Sequence, residues 1–228
     1  QSFCNEDILY RSFFYRKSGK ALFPTVSIYP PSMKANRYFP FRLITAGVLA
    51  QYQTGTMTRR CKTLNKIISE PFVGVNAEDA SRTDMPYLIK FAKAAKDHGA
   101  DRFRYCDTLG YDDPFTIYKR IKILASEVKL PIELHCHNDL GMVIACSVSG
   151  AKAAIDAGVD AYINTTVNGM GERAGNADLV SVILAIKYSS GFAGKYQIDE
   201  KVKLNHAWKI GKYASYAFKV PIPINHPG

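Results

Sequence analysis

The sequence predicts an α/β protein whose core is a parallel sheet covered by helices. From residue 71 onward the chain alternates four times between a short apolar strand and an amphipathic helix, with about thirty residues in each unit. Such units, joined by short loops, are typical of half of a (β/α)₈ barrel or of a doubly wound sheet. In both folds ligands bind at the carboxyl ends of the strands, and the unusual polar clusters of this chain fall at those ends.

Each predicted strand is short and is followed by a segment with apolar residues on one helical face. The strands are predicted over residues 71–76, 102–106, 131–137 and 161–167. The second helix has the most regular apolar face, with spacings of four, three and four residues. The four apolar faces consist of Leu88, Ile89, Ala92 and Ala95; Ile117, Ile121, Leu124 and Val128; Ile144, Val148, Ala151 and Ile155; and Leu179, Ile183 and Ile186.

Composition excludes several classes of protein. Of the 228 residues 47% are hydrophobic, which is enough for a packed core and too many for a disordered chain. The longest uncharged apolar run, residues 43–50, is far shorter than the ~20 residues that span a membrane, and we expect no signal peptide. Five cysteines without paired spacing are typical of reduced thiols, so we expect a cytoplasmic protein.

The net charge of +10 is concentrated in residues 1–70, which hold 11 of the 30 Lys and Arg but only 3 of the 20 Asp and Glu. This segment also holds eleven Phe or Tyr residues and follows neither a helical nor a strand period. A basic, aromatic-rich segment could bind nucleic acid by stacking, but no recognised binding motif accompanies it, which argues against that partner. We interpret residues 1–70 as an atypical extension or as frameshifted sequence.

The strongest candidate site follows the third predicted strand, at His135-Cys136-His137. Side chains two apart on a strand point the same way, so Glu133, His135 and His137 share one face. Two neighbouring imidazoles on an inward face are suited to bind a divalent metal. The alternative is two core histidines satisfied by backbone carbonyls. We favour the metal because the neighbouring strands also end in polar clusters.

The fourth predicted strand leads into a glycine-rich loop, residues 168–176. Its three glycines let the backbone approach a ligand closely, and the N-terminus of the next helix, predicted over 177–188, favours anions. Asn176 has two possible roles, as the cap of this helix or as a neutral metal ligand, and taken alone capping is the better interpretation. Asn164 begins a glycosylation sequon, but it lies in a predicted buried strand, so we expect no glycan there.

Two further candidates follow the first and second strands. Glu78 is a candidate general base above a metal site, and the alternative is a loop acid paired with Arg82. Thr108 offers a hydroxyl to a substrate carboxylate, although Asp-Thr before Gly110 is also ordinary turn chemistry.

Four motifs occur in the order and spacing of a known family. They are Glu78-Asp79-Ala80-Ser81-Arg82, Asp107-Thr108-Leu109-Gly110, His135-Cys136-His137-Asn138-Asp139 and Asn168-Gly169-Met170-Gly171-Glu172-Arg173-Ala174-Gly175-Asn176. Together they resemble the homocitrate synthase and 2-isopropylmalate synthase family of the DRE-TIM metallolyase superfamily, over about residues 71–190. Within the family the sequence looks most like homocitrate synthases of the nitrogen-fixation type.

The resemblance implies the C-terminal half of a (β/α)₈ TIM barrel and an acyltransferase of amino-acid biosynthesis. Such enzymes condense acetyl-CoA with a 2-oxo acid, here most simply 2-oxoglutarate to give homocitrate. The alternatives are 2-isopropylmalate or citramalate synthase, or a non-catalytic fragment of such an enzyme. A divalent metal (Mg, Mn or Zn) and a homodimer are implied as well. The implied metal ligands are His135, His137 and Asn176, the implied acid–base residue is Glu78, and the implied substrate-binding residues are Thr108 and Arg173.

The sequence also departs from the family pattern. Residues 1–70 contain no Arg-Asp-x-x-Gln stretch, which in the family supplies a catalytic arginine and an acidic metal ligand. Neither His206 nor His226 lies in the glycine-flanked pattern of the family's partner histidine. We therefore expect no condensing activity from the chain alone. The expected parts are the atypical segment 1–70, a catalytic half barrel over 71–191 and the start of a linker subdomain over 192–228.

Overall fold

The computed structural model describes residues 11–15, 25–26, 45–46, 74–196, 202–224 and 226–227. Seven strands lie in these ranges, and the last four belong to the predicted βα units. The strands are β1 (Arg11–Tyr15), β2 (Thr25–Val26), β3 (Thr45–Ala46), β4 (Gly74–Ala77), β5 (Arg102–Asp107), β6 (Ile132–Cys136) and β7 (Ala161–Thr165). The α-helices in the same ranges are α1 (Met85–Asp97), α2 (Pro114–Val128), α3 (Val143–Asp156), α4 (Leu179–Tyr188) and α5 (Ala207–Phe218).

The strands form one sheet in the order β2-β1-β7-β6-β5-β4-β3. Strands β3 to β7 are parallel, each paired with its neighbour in sequence, which confirms the predicted α/β fold and its four βα units. The sequence predicted no strand before residue 71, whereas the structure places three there. Strand β1 pairs antiparallel with β7, and β2 and β3 are two residues long. Two-residue strands are too short to show a period, so the pattern could not reveal them.

The apolar faces pack where the periodicity predicted. All four apolar residues of the α2 stripe are buried, and α2 packs against α3, which covers β6 and β7. Helix α3 lies very close to the sheet at Gly150, where an added Cβ would be 2.7 Å from Leu134 Cδ1. Leu134 shares the outer face of β6 with Ile132 and Cys136, and all three side chains are buried. One face of the parallel sheet is therefore sealed by helices, and the polar residues of β6 lie on the other.

The C-terminal helix α5 lies beside the loop that follows β7. Asn168 Nδ2 donates a hydrogen bond of 2.9 Å to the carbonyl oxygen of Gly211, in the first half of α5. An added Cβ at Gly211 would be 2.9 Å from Asn168 Oδ1, so the helix approaches this loop closely because residue 211 has no side chain. The helix is thereby positioned beside the carboxyl end of the sheet.

Other expectations concern membranes, thiols and glycans. No helix of the described ranges combines the length and apolar character that a bilayer crossing requires. Cys106, Cys136 and Cys146 are buried free thiols, while Cys4 and Cys61 lie outside the described residues. Asn164 is 5% exposed, which confirms that the sequon lies in a buried strand.

Candidate active site

The loops after β4, β5, β6 and β7 meet at one edge of the sheet, because these strands are parallel neighbours. Each loop carries one of the residues that the motifs single out. They are Glu78 after β4, Thr108 after β5, His137 after β6 and Asn176 after β7. The sequence-predicted candidates are therefore gathered at the carboxyl edge, where ligands of such folds bind.

Glu78 and Thr108 form one hydrogen-bonded unit. Thr108 Oγ1 donates to Glu78 Oε1 at 2.6 Å and accepts from the backbone N–H of Asp79 at 2.9 Å. The single hydroxyl proton of Thr108 is thus directed at the carboxylate of Glu78, which leaves Glu78 Oε2 outside this bond.

The alternative in which Glu78 pairs with Arg82 is wrong. Arg82 Nε instead lies 2.9 Å from Asp79 Oδ1. The cause is local, because Asp79 adopts a left-handed conformation with φ of +56° and lies one turn before Arg82. The two side chains meet across this turn, and Glu78 is left to Thr108.

The two histidines at the end of β6 lie side by side. Their ring centroids are 5.0 Å apart and their planes cross at 85°. His137 is 5% exposed and His135 is partly buried. The second ring, that of His137, lies against the loop after β7, where Asn176 Nδ2 is 3.4 Å from His137 Nδ1.

Their surroundings favour neutral rings. Burial, followed by the positive charge of Arg104 and then by His137, lowers the pKa of His135 to about 4. Burial also lowers the pKa of His137; Arg173 adds to this effect, and the carboxylates of Glu172, Asp139 and Glu78 oppose it. A metal binds the neutral form of histidine, so these two rings are ready to act as ligands at neutral pH.

Asn176 lies against the second histidine and does not cap the helix. Its Nδ2 donates to the carbonyl oxygen of Cys136 at 3.1 Å and is 3.4 Å from His137 Nδ1. The cap of α4 is Asp178, whose Oδ2 accepts from the backbone N–H of Ser181 at 2.8 Å. The capping interpretation of Asn176 is therefore wrong, because the helix begins at Leu179, two residues later than predicted.

A close backbone approach positions the amide of Asn176. An added Cβ at Gly171 would be 1.8 Å from Asn176 Oδ1, so only glycine leaves room for the amide as it stands. Two neutral imidazoles and one amide are nitrogen and oxygen donors that fit a divalent cation. Among the residues that the structure describes, no three His, Cys, Asp or Glu side chains are arranged to hold a metal. A site here would therefore draw on the amide of Asn176 beside the histidines.

Arg173 connects three of the strand-end loops. Its Nε and Nη2 contact the two carboxylate oxygens of Asp139 at 2.8 and 2.9 Å, and Nη2 also donates to the carbonyl oxygen of Thr108. Asp139 thereby neutralises the guanidinium in this structure. The predicted role of Arg173 in substrate binding stays a prediction, and the observed role is to tie the loops after β5, β6 and β7 together.

The partner of Asp178 outside α4 is a histidine that sequence reasoning set aside. His226 Nε2 lies 3.3 Å from Asp178 Oδ1, and the ring is buried. His206 lies in a short 3₁₀ helix, Leu204–His206, at the start of α5. The described structure places neither ring among the contacts of Glu78.

Sequence reasoning missed a buried polar cluster below the histidines. Glu133 is fully buried and pairs with Arg102 Nε and with Arg104 Nη2, each at 2.7 Å. Asn164 on β7 contacts both Glu133 and His135. The sequence did hold a signal for this cluster. Arg102 and Arg104 alternate on β5 and Glu133 lies on the neighbouring strand β6, and charged residues in predicted buried strands require partners.

Comparisons with known proteins agree with the motifs. Residues 25–213 match the family model described as HMGL-like. A citrate (Re)-synthase of Dehalococcoides mccartyi is 65% identical over 156 residues, which are 68% of this chain and 38% of that protein. A 2-isopropylmalate synthase 2 of Caldanaerobacter subterraneus is 45% identical over 152 residues, 67% of this chain and 37% of that protein. Homocitrate synthase 1 of a Nostoc species is 48% identical over 116 residues, 51% of this chain and 29% of that protein.

Solved structures share the fold at low identity. HMG-CoA lyase of Bacillus subtilis aligns with a TM-score of 0.58 and 15% identity, over 75% of this chain and 57% of that chain. The carboxyl transferase domain of pyruvate carboxylase from Rhizobium etli aligns with a TM-score of 0.56 and 18% identity, over 77% of this chain and 29% of that chain. At these identities the likeness concerns the fold alone.

The chain spans less than two fifths of the length of the curated relatives named above. The match to the family model nevertheless includes most of the chain and begins inside the basic N-terminal segment. The motifs, the parallel sheet and the matched range lead to one assignment. The chain belongs to the HMGL-like family, in the DRE-TIM superfamily that its strand-end motifs resemble.

Proposed function

We propose that this chain carries one side of the active site of an acyltransferase that condenses acetyl-CoA with a 2-oxo acid. The observation that supports this most is the juxtaposition, at one sheet edge, of two neutral histidines with the hydrogen-bonded pair Glu78 and Thr108. The names of the curated relatives, which are synthases of citrate, 2-isopropylmalate, homocitrate and citramalate, support the same reaction class.

His135, His137 and Asn176 would hold the divalent metal. When bound, the metal supplies Lewis-acid polarisation of a carbonyl group. Glu78 is the proposed general base, because a carboxylate beside the site can remove a proton from the acetyl methyl group. Thr108 orients that carboxylate through its bond to Oε1, and Oε2 is the oxygen that receives the proton.

Arg173 and Thr108 are proposed to bind the carboxylate of the 2-oxo acid. In the described structure the guanidinium of Arg173 is paired with Asp139, so a substrate carboxylate would share or replace this ion pair. Thr108 has one hydroxyl proton, and its hydrogen bond already goes to Glu78 Oε1. A substrate carboxylate at Thr108 would therefore compete with Glu78 for it, which couples substrate binding to the position of the base.

Two 2-oxo acids are the leading substrates. The motifs suggest 2-oxoglutarate and homocitrate, as in a nitrogen-fixation-type enzyme, and the 48% identity to a homocitrate synthase is consistent with that. The 65% identity to a citrate (Re)-synthase favours oxaloacetate, whose condensation with an acetyl group gives citrate. The two acids are dicarboxylates that differ by one methylene group, a difference worth about 1–3 kcal/mol in an apolar pocket. We propose oxaloacetate first and 2-oxoglutarate second.

The metal site is tested by titration of Mn²⁺ into the 228-residue chain and its variants. His135→Ala and His137→Ala should each weaken binding at least tenfold, because each removes a ligand. His206→Ala, which removes a histidine outside the site, is the matched control and should bind like the wild type. Equal affinity in all four proteins would remove the proposed metal site.

The reaction is tested in a chimera, because the chain covers only part of its relatives. The 156 matched residues of the Dehalococcoides enzyme are replaced by those of this chain, and thiol release from acetyl-CoA is measured with four 2-oxo acids. Oxaloacetate should be preferred. Preference for 2-oxoglutarate would support the homocitrate alternative, preference for 2-oxoisovalerate or pyruvate would contradict both, and the predicted homodimer can be checked on the same sample.

A further inference from the structure

Asn164 connects the candidate metal ligand His135 to the buried carboxylate of Glu133. Its Oδ1 lies 3.1 Å from His135 Nδ1, and its Nδ2 donates to Glu133 Oε1 at 3.3 Å. The contact follows from the sheet, because β6 and β7 are parallel and pair Leu134 with Ile163, one residue before His135 and Asn164. One amide therefore bridges two side chains that share a face of the neighbouring strand.

Two arginines contact the carboxylate of Glu133. The carboxylate has no solvent exposure, and its two oxygens lie 2.7 Å from Arg102 Nε and from Arg104 Nη2. A carboxylate whose two oxygens contact guanidinium groups presents those oxygens to its neighbours as hydrogen-bond acceptors. The group that faces it from Asn164 must therefore be a donor.

This requirement sets the direction of both hydrogen bonds of Asn164, the one to Glu133 and the one to His135. If the amide were turned over, its carbonyl oxygen would face the Glu133 carboxylate, and two acceptors would repel each other in a buried place. With the NH₂ group on Glu133, the carbonyl oxygen of Asn164 faces His135. An amide oxygen only accepts, so Nδ1 of His135 must carry the hydrogen.

We propose that Asn164 is a positioning residue, which fixes His135 as the Nδ1–H tautomer and leaves the lone pair of Nε2 free for a metal. The proposal rests on the proposed function only in its last step, because the tautomer itself follows from the contacts with Glu133. An imidazole that binds a metal through one nitrogen usually donates its other N–H to a polar group, which orients the ring. Here the group is an amide, whose own direction is imposed by the ion pairs behind it.

The tautomer can be measured directly in the metal-free chain by NMR of ¹⁵N-labelled histidine at neutral pH. His135→Gln assigns the signals of His135 among the five histidines. The wild type should show Nδ1–H at His135. Asn164→Leu, which has a similar volume but no polar atoms, should move the ring to Nε2–H or to a mixture and lower Mn²⁺ affinity about 10–100-fold.

Two further variants separate positioning from packing. Asn164→Asp keeps an acceptor against Nδ1 and should keep the Nδ1–H tautomer, although it places a second carboxylate beside Glu133 and so lowers stability. Thr166→Val is the matched control, because Thr166 lies two residues further along the same chain segment and its buried hydroxyl has no hydrogen-bond partner among the described residues. It should change neither the tautomer nor the affinity.

A wild-type chain with the Nε2–H tautomer at His135 would overturn the proposal, and so would an Asn164→Leu variant that keeps Nδ1–H. If Asn164→Leu fails to fold, the wild-type spectrum and Asn164→Asp still decide. If His135 carries the hydrogen on Nδ1 in an Asn164-dependent way but the chain binds no metal, the positioning inference stands and the proposed function fails.

Discussion

The two faces of β6 are both buried, yet they are stabilised by different forces. On the outer face Ile132, Leu134 and Cys136 pack against helices, where volume and apolar area decide the energy. On the inner face Glu133 and His135 are held by ion pairs and hydrogen bonds that have direction. Apolar packing specifies the shape that fills a site, whereas a hydrogen bond to a partner of fixed direction also specifies which atom carries a proton.

The difference explains how one strand serves both stability and chemistry. The outer face tolerates apolar replacement of similar volume, because its contacts are non-directional. The inner face does not, because the removal of one polar partner leaves another buried and unsatisfied. Substitutions on the two faces should therefore differ in kind as well as in size.

The largest loss of stability is expected for Glu133→Gln. This change leaves Arg102 and Arg104 without the carboxylate that both contact, and loss of one side of a buried ion pair typically costs about 3–5 kcal/mol. Urea unfolding of the wild type and the variant measures it. A loss below about 1 kcal/mol would show that water or other groups satisfy the arginines, and the contrast between the faces would then disappear.

Leu134→Ala should cost somewhat less, about 2–4 kcal/mol, through lost transfer energy and the cavity left beneath α3. It should leave the Mn²⁺ affinity within about twofold, because Leu134 lies on the face opposite the histidines. The two measurements are urea unfolding and metal titration on the same sample. A large drop in metal affinity would mean that the outer face also positions the histidines.

Asp112 is a buried acid whose carboxyl group is hydrogen-bonded by a tyrosine, whereas that of Glu133 forms ion pairs. Tyr105 donates to Asp112 Oδ2 at 2.7 Å, and burial raises the pKa of Asp112 to about 6. The folded state then keeps a proton that the unfolded state releases near pH 4, so stability falls as the pH rises from about 4 to about 6. After allowance for solvent screening we expect a fall of about 2 kcal/mol in this window.

Asp112→Asn provides the reference for this prediction, because it resembles the protonated acid and does not titrate. The free energy of unfolding is measured from pH 4 to pH 7 for both proteins, so that other carboxylates cancel in the difference. The wild type should lose stability relative to the variant as the pH rises. A constant difference would show that folding does not shift the pKa of Asp112.

The smallest effect is expected at the exposed pair Lys93 and Glu127. Lys93 Nζ lies 3.0 Å from Glu127 Oε2, but about half of each side chain is open to solvent. Such pairs contribute less than about 1 kcal/mol. Lys93→Ala should therefore unfold at nearly the wild-type urea concentration, and a loss comparable with that of Glu133→Gln would invalidate the distinction between buried and exposed pairs.

Much of the fold could be predicted because its signals are local. The α2 stripe and the four βα units follow from spacing alone, and the observed strand bounds differ by a few residues from those predicted. The antiparallel pairing of β1 with β7 joins residues about 150 positions apart, and no periodicity reports such a contact. The same limit applies to β3, which is too short to carry a pattern.

The sequence predicted which residues meet at the site better than it predicted the contacts that they make. The order of the motifs gathers Glu78, Thr108 and His137 at one edge, as the parallel strands require. Which partner each group selects depends on backbone detail that the sequence does not display. The left-handed conformation of Asp79 brings Arg82 to Asp79 instead of Glu78. Because Asp178 caps the last βα helix, Asn176 is not needed as a cap. Asn164 drew attention only as a sequon, although its neighbours on β6 give it a partner on each side.

Gly171 shows how a residue without a side chain can restrict what another may do. Its backbone has no positive φ, so the conformation alone would admit alanine there. The obstacle is the amide group of Asn176, because an added Cβ would lie 1.8 Å from Oδ1 and 2.8 Å from Cγ. The two positions are therefore linked by exclusion, five residues apart in one loop. A larger residue at 171 would have to displace the whole side chain of Asn176, because turning the amide over would only place Nδ2 where Oδ1 now lies. Glycine is therefore required at 171 by the position of a neighbouring amide and not by its own backbone conformation.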